Sequence, residues 1–455
     1  MSRKKPNIIL INCDDLGYGD PGCYGSNVHK TPALDKMAEE GMKFTDFYMA
    51  SPVCSPSRGA MLTGCYSKRI GFGDFEGEWV LFPGQGVGLN PEEETIATKL
   101  KDNGYSTMIV GKWHCGDQQE FLPTKHGFDH YYGLPYSNDM GRQVGVEGEY
   151  PPLPLLDDDE VLQEQPDQST LTERYVERSK KFIRNNQDQP FFLYLAHMYV
   201  HLPLYTPERF NKQSENEEYG AAVECIDWSV DAIIKELERL GLKEDTLIIF
   251  TSDNGSRNDY GKSNAPLRGT KGTTWEGGMR VPCIMYWPGQ IPAGKECNEL
   301  ITSMDLMPTL TLLAGGELSK DKTIDGKDIR SLIFNEEDVK SPYKDFFYYF
   351  KNNLEAVRVG KWKLHIRKKD KEIKELYNLE KDISESNNLY KEYPEIVKNL
   401  MDYIRKCRKD LGDEAVGIEG KNCRSIGKID NPDTLTHYDP EHPYIVSMYD
   451  IEDRG

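Results

Sequence analysis

Five short apolar runs punctuate the first 300 residues, at 7–12, 106–111, 190–197, 246–252 and 282–287. All are six to eight residues long and enriched in β-branched or aromatic side chains, the pattern of a strand buried on both faces. Between them the period lengthens to that of a helix. Over 221–240, Ile226, Val230, Ile233, Leu237 and Leu240 fall on one stripe, and Gly241 follows as a stop. This alternation predicts an α/β fold with a large, mostly parallel sheet sandwiched by helices. Ligands of such sheets gather beyond the carboxyl ends of the strands, so the residues that follow each run carry the argument.

The pattern changes near residue 345. Short strand-like runs at 346–350, 356–359, 362–366 and 375–379 precede an amphipathic helix at 394–409, with Ile396, Leu400, Tyr403, Ile404 and Cys407 on one face. This predicts a catalytic-size unit over 1–345 and a smaller α+β unit over 346–455, an antiparallel sheet plus a helix ending in an irregular tail. The stretch 150–169, with four prolines and acidic 157–160, reads as a long surface loop. No internal repeat is visible.

Composition narrows the function. The chain has 455 residues, 56 Lys+Arg against 75 Asp+Glu, and a formal net charge of −19. That balance argues against a nucleic-acid or anionic-membrane partner, whose footprint is basic. It leaves room for a small anionic substrate held by a local cluster of cations. Ten cysteines without a CxxC exclude a disulfide scaffold, a zinc ribbon and a thioredoxin-type motif. No apolar run reaches the roughly 18 residues of a membrane span. The basic start, Met1 to Pro6, is followed by too short an apolar stretch for a signal peptide, so the expectation is a soluble, cytoplasmic chain unless a leader has been removed. The one glycosylation sequon begins at Asn254, a candidate metal ligand, and is discounted.

The strands are followed by chemistry. Asp14 and Asp15 follow the first, Lys112 and His114 the second, His201 the third, and Asp253 and Asn254 the fourth. Adjacent carboxylates tolerate one another best around a cation, although Asp14-Asp15 also suits a helix N-cap and Asp253-Asn254-Gly255 a turn. Together they offer hard oxygen donors, which suit Ca²⁺ or Mg²⁺, and the lack of a nearby thiolate or imidazole pair argues against zinc. Gly17 to Gly22 matches GxGxxG, but Asp14, Asp15 and Asp20 would repel a pyrophosphate, so it reads as a loop. Cys54 sits at a Pro-rich turn that opens a helix, with Arg58 one turn on. It is either a thiol whose anion is favoured, hence reactive, or a buried structural cysteine.

Cys54-Ser55-Pro56-Ser57-Arg58, followed by Leu62-Thr63-Gly64, resembles the signature of the type I sulfatases of the alkaline phosphatase superfamily. The resemblance continues through Gly111-Lys112-Trp113-His114, Gly133-Leu134-Pro135-Tyr136-Ser137, His201-Leu202-Pro203, Ser252 to Gly255, Leu267 to Gly278 and Glu375 to Leu379, from about residue 6 to about 410. It implies that Cys54 is the precursor of formylglycine, made by a formylglycine-generating, sulfatase-maturating enzyme. It further implies that Arg58 holds the aldehyde hydrate and that Asp14, Asp15, Asp253 and Asn254 bind calcium. Lys112 and Lys271 would grip the sulfate, His114 would help collapse a covalent sulfo-enzyme, His201 would lie near the leaving oxygen, and Ser137 would support the site. The implied activity is hydrolysis of a sulfate monoester, with a sulfated sugar as first choice of substrate. The alternatives are a phosphate or phosphonate monoester hydrolase of the same superfamily, and a non-catalytic glycan- or anion-binding protein in which Cys54 stays a thiol. The loops at 72–89, 138–169 and 257–268 are expected to set substrate choice, with Trp79 and Tyr260 as aromatics able to stack on a sugar. His197 is expected to be structural.

Overall fold

The structure, a computed structural model, describes residues 5–142, 150–258 and 260–444. Among these the main sheet has ten strands. They are β1 (Asn7–Cys13), β2 (Met42–Phe44), β3 (Ser106–Gly111), β4 (His130–Gly133), β5 (Pro154–Asp157), β6 (Glu160–Glu164), β7 (Phe191–Ala196), β8 (Thr246–Ser252), β9 (Cys283–Tyr286) and β10 (Lys295–Cys297). Their order across the sheet is β10-β2-β9-β8-β1-β7-β3-β4-β5-β6. The central block β8-β1-β7-β3-β4 is parallel, and antiparallel pairs flank it on both sides.

Continuous apolar runs form these central strands because both faces are covered. Ile8 and Leu10 of β1 enter one core and Ile9 and Ile11 the other. Helix α1 (Cys54–Thr63) lies in the first layer. Helices α2 (Leu171–Asn185) and α3 (Glu217–Leu240) pack on the opposite face, and Gly241 closes α3 in the left-handed conformation.

The stretch 150–169 is a correction. Instead of a surface loop, it contributes the β5–β6 hairpin to the sheet and then leads toward α2. Leu153, Leu155 and Leu156 are buried, Pro154 occupies the first position of its strand, where a proline is tolerated, and the acidic residues form the turn. Its neighbours 143–149 lie outside the described residues.

Beyond the main sheet, β11 (Phe346–Phe350), β12 (Asn353–Val359), β13 (Trp362–Lys368) and β14 (Lys371–Asn378) form an antiparallel sheet covered by α4 (Pro394–Asp410). Its core is shared with Tyr48, Ala50, Ala60, Met279 and Met304. A buried charge cluster crosses the same boundary. Lys363 lies 2.8 Å from Glu276 and 3.0 Å from Glu385, and His365 contacts Glu385 at 2.6 Å. The chain then returns to the main sheet's rim: Gly427–Lys428 pair with Val87–Gly88, and Gln118 and Asp433 exchange hydrogen bonds. Among the described residues no helix is long and apolar enough to cross a membrane.

Candidate active site

Register alone brings the polar residues together. Cys13 lies opposite Ser252, and Asn12 and Gly111 both lie level with Ala196. The residues that follow, Asp14-Asp15, Asp253-Asn254 and Lys112, therefore emerge at one edge. Asp15 and His114 adopt φ of 59° and 60°, left-handed conformations that cost about 1–3 kcal/mol each for residues with a side chain and that cluster at functional sites.

Helix α1 begins at Cys54, behind an extended Val53. The Cys54 thiol donates to Asp14 Oδ1 at 3.4 Å. One turn later, fully buried Arg58 places Nε on Asp253 Oδ2 at 2.8 Å and donates from another nitrogen to the Lys112 carbonyl at 2.9 Å. Its Nη2 lies 3.5 Å from Asp14 Oδ2 as well, so Arg58 ties three strand ends to the helix. Lys112 Nζ contacts Asp14 Oδ2 and donates to Ser137 Oγ at 2.7 Å. Lys271 Nζ lies 3.0 Å from Asp15 Oδ2.

The carboxylates are a strained set. Single oxygens of Asp14, Asp15 and Asp253, with Cys54 Sγ, lie within 4.8 Å of one another. Burial and then the Asp14 charge push the Asp253 carboxyl up to about 7. For Asp14, burial acts upward but Lys112 above all holds the group well below the usual range. Asn254 Oδ1 is buried with no hydrogen-bond partner, while its amide nitrogen donates to Asp15 Oδ1 at 2.7 Å. Three crowded carboxylates and an orphaned amide oxygen fit a cation. Asp14, Cys54 and His201 also form a close group, so a thiol and a single imidazole stand beside the carboxylates.

Of the two readings left open for Cys54, the structure favours the unreactive, buried thiol. Burial and Asp14 outweigh Lys112 and Lys271 and push the thiol well above its ordinary value. Its anion is disfavoured despite the helix terminus and Arg58, so as a cysteine it is a poor nucleophile.

The histidines are neutral by the same logic. Burial, then Lys112, lowers His114 well below its usual range; burial, then Lys271, does so for His201. His114 Nε2 faces the Leu81 carbonyl at 3.0 Å, which puts the proton on Nε2 and leaves Nδ1 as an acceptor. His201 Nδ1 faces the Leu202 carbonyl at 2.5 Å and Asn138 Oδ1 at 3.2 Å, so Nδ1 carries its proton.

A cavity of about 170 Å³ joins these groups. It is lined by Cys54, His114, Ser137, His201 and Lys271, and by Trp79, Val80, Phe82, Asp139, Met140 and Tyr150. Two of the expected substrate loops reach it. Among the described residues of the third, 257–268, none lines it: Tyr260 stacks on Tyr219 at 4.4 Å, and Asp259 lies outside the described residues. His197 is buried against Ser229 Oγ. Asn138 and Asp139 escaped the sequence reading because Ser137-Asn138-Asp139 looks like any polar turn.

The sequence profile of the Sulfatase family matches residues 6–316, and that described as "N-sulphoglucosamine sulphohydrolase, C-terminal" matches 270–410. The chain is 39% identical over 375 residues to N-acetylgalactosamine-6-sulfatase of Canis lupus familiaris, covering 79% of this chain and 71% of that one. It is 39% identical over 387 residues to arylsulfatase A of Homo sapiens, covering 80% and 75%. The solved structure of Ps i-CgsB in complex with k-i-k-neocarrahexaose superposes with a TM-score of 0.78 at 31% identity, covering 89% of this chain and 92% of that one. With this fold and these matches, the chain belongs to the sulfatase family, type I within the alkaline phosphatase superfamily, and is a sulfuric ester hydrolase.

Proposed function

We propose that this sulfatase desulfates an O-sulfated carbohydrate, with Cys54, Arg58, Lys112, His114, Ser137, His201 and Lys271 as its working residues and Asp14, Asp15, Asp253 and Asn254 as its metal ligands. One observation carries the reading: Cys54, both histidines and Lys271 line a single cavity beside the carboxylate cluster. Asp14, Asp15, Asp253 and Asn254 would hold Ca²⁺, or Mg²⁺, through hard oxygen donors, and such an ion would offset the charge of the sulfate and of its attacker. Cys54 would be the residue that carries formylglycine, whose hydrate would supply the nucleophile for sulfur and a second hydroxyl for the release of sulfate.

The chain's own groups prepare both halves. Arg58 is held by Asp253 and the Lys112 carbonyl beside the converted residue. Lys112 and Lys271, anchored by Asp14 and Asp15, offer preorganised cations to the sulfate oxygens. His114 Nδ1 is a neutral acceptor that would take the proton set free when sulfate is released. His201 lacks a proton on Nε2, whereas burial is outweighed by Asp15 at Lys271, which stays protonated. Lys271 therefore supplies the proton to the departing alkoxide. The carbohydrate assignment draws support from the relatives whose names or bound ligands are sugars. We divide the chain into a catalytic unit at 1–345 and a smaller unit at 346–455 that braces it through Lys363 and Glu276.

Intact-mass analysis tests the chemistry. Conversion of Cys54 lowers the mass by about 18 Da, and activity should follow the converted fraction. Full activity from protein with Cys54 unmodified would overturn the mechanism. A large excess of phosphate over sulfate monoester hydrolysis would favour the superfamily alternative.

A further inference from the structure

The C-terminal tail meets two segments that wall the cavity. On the first, Ile429 N donates to the Gly86 carbonyl at 2.9 Å, and a Cβ on Gly84 would lie 2.9 Å from Thr434 Cγ2. Gly84 N donates to Asp117 Oδ2 at 2.7 Å, next to the Gln118 that exchanges hydrogen bonds with Asp433 at 2.8 and 3.0 Å. On the second, buried Thr436 donates from Oγ1 to the Pro152 carbonyl, and the Arg142 guanidinium lies 3.4 Å over the Tyr438 ring. Gln165 links Arg142 to this same stretch, donating to the Arg142 carbonyl at 3.0 Å and accepting from Leu153 N at 2.8 Å.

These contacts follow a pattern. Phe82, Met140 and Tyr150 line the cavity. The residue two positions after each, Gly84, Arg142 and Pro152, is one that touches the tail. Thr434 to Tyr438 therefore reaches both walls, and across them Phe82 and Tyr150 stack at 6.4 Å and 9°. The cations are held by other means: Lys112 and Lys271 by Asp14 and Asp15, Arg58 by Asp253. A sulfate goes to those cations, which leaves the apolar walls for the organic part of the ester. The tail anchors the part of the cavity for which an anion has no use.

We propose that residues 433–438 are a strap that spaces the two apolar walls, with Thr436 and Tyr438 as positioning residues for the organic group of the ester. They act through Pro152 and Arg142 rather than by contact with substrate. The inference rests on this cavity being the sulfatase active site, and is independent of the carbohydrate assignment.

Two matched pairs of variants test it in converted, ion-loaded enzyme. Thr436→Val keeps the side chain's shape and removes its donor, whereas Thr436→Ser keeps the donor. Tyr438→Leu removes the ring beneath Arg142, and Tyr438→Phe keeps it. KM is measured for 4-nitrophenyl sulfate, and Ki for inorganic sulfate as the competing product. In Thr436→Val and in Tyr438→Leu, KM should rise about threefold or more. Ki for inorganic sulfate should stay within about twofold of the parent's. Thr436→Ser and Tyr438→Phe should return KM to the parent value. Neither constant depends on how much of the protein is folded or converted. Tyr438 is 49% exposed, so its pair keeps the comparison open should Thr436→Val fold poorly. A merely stabilising contact predicts a lower melting temperature with parent KM in both Thr436→Val and Tyr438→Leu, and that result would overturn the strap. So would KM and Ki rising together, which would mean that the tail supports the whole site. A parent that hydrolyses no sulfate ester would overturn the assignment of the cavity and this inference with it.

Discussion

Lys271 and His201 meet the same cavity with opposite proton inventories: one ammonium held charged by Asp15, one imidazole neutral with its single proton turned to a carbonyl. A sugar alkoxide needs a proton as it leaves and a nitrophenolate does not. Lys271→Met is therefore expected to lower kcat on both substrates through its lost contact to the sulfate, and to lower it on a sugar sulfate by about a further 10²–10⁴ that 4-nitrophenyl sulfate does not show. His201→Asn should affect the two substrates more evenly. The reverse pattern, measured by steady-state kinetics, would move the acid role to His201. Away from the site, His126 and His197 are buried and their imidazoles lowered to about 3. An unfolded imidazole takes a proton below about 6.5. Between about 3 and 6.5 the unfolded chain therefore binds more protons, and these two residues remove stability as pH falls. Asp227 and Asp305, raised to about 7 by burial, act in the opposite sense, removing stability as pH rises from about 4 toward 7. The difference between His197→Gln and parent isolates the first effect: the variant's melting temperature should gain on the parent's as pH drops from 6.5 toward 3.

At the scale of elements, the loop carrying Lys271 is sewn in by its backbone. Lys271 N donates to the Ser256 carbonyl at 3.0 Å and Gly272 N to the Pro52 carbonyl at 2.9 Å. A Cβ on Gly255 would lie 1.7 Å from the Gly277 carbonyl oxygen, so this crossing requires glycine. Gly255→Ala should push Asn254 and the loop apart. In the parent, Ca²⁺ at a hundredfold excess over Kd should add about 2.7 kcal/mol of stability, and a chelator should remove it. In Gly255→Ala that gain should be lost, as read from paired melting curves with and without chelator. These close approaches also mark where sequence reading stops. The central strands and the polar residues after them are legible because an apolar run and its terminus are local features. The 150–169 hairpin is not, since proline and acid mimic a loop while Leu153, Leu155 and Leu156 do the pairing side's packing. The suppressed thiol of Cys54 and the partners of Asn138 depend on burial by segments far away in the chain, which no local pattern encodes.

At the scale of the molecule, the C-terminal sheet is bound to the catalytic unit by a shared apolar core and by Glu276, Lys363, His365 and Glu385, all fully buried. Removing Glu385 would take one of the two carboxylates from Lys363, leave His365 Nε2 without its carboxylate, and uncap the Glu276 backbone N–H, which donates to Glu385 at 2.7 Å. Losing one partner of a buried pair costs about 3–5 kcal/mol, so Glu385→Ala should melt much earlier than the parent. It should do so in one transition seen alike by tryptophan fluorescence and far-ultraviolet circular dichroism. Two separate transitions would show that the units are energetically independent.

The position of β1 also bears on how the protein is made. This strand precedes β7 and β8 by well over a hundred residues in the chain, yet it lies between them. Cys54, 1% exposed once folded, is translated about 190 residues before β8. At 5–20 residues per second that is roughly 10–40 s in which the nascent chain cannot complete its own sheet. Strand order thus works as a clock: if Cys54 is converted as proposed, it leaves the segment open to modification before the sheet that buries it can close.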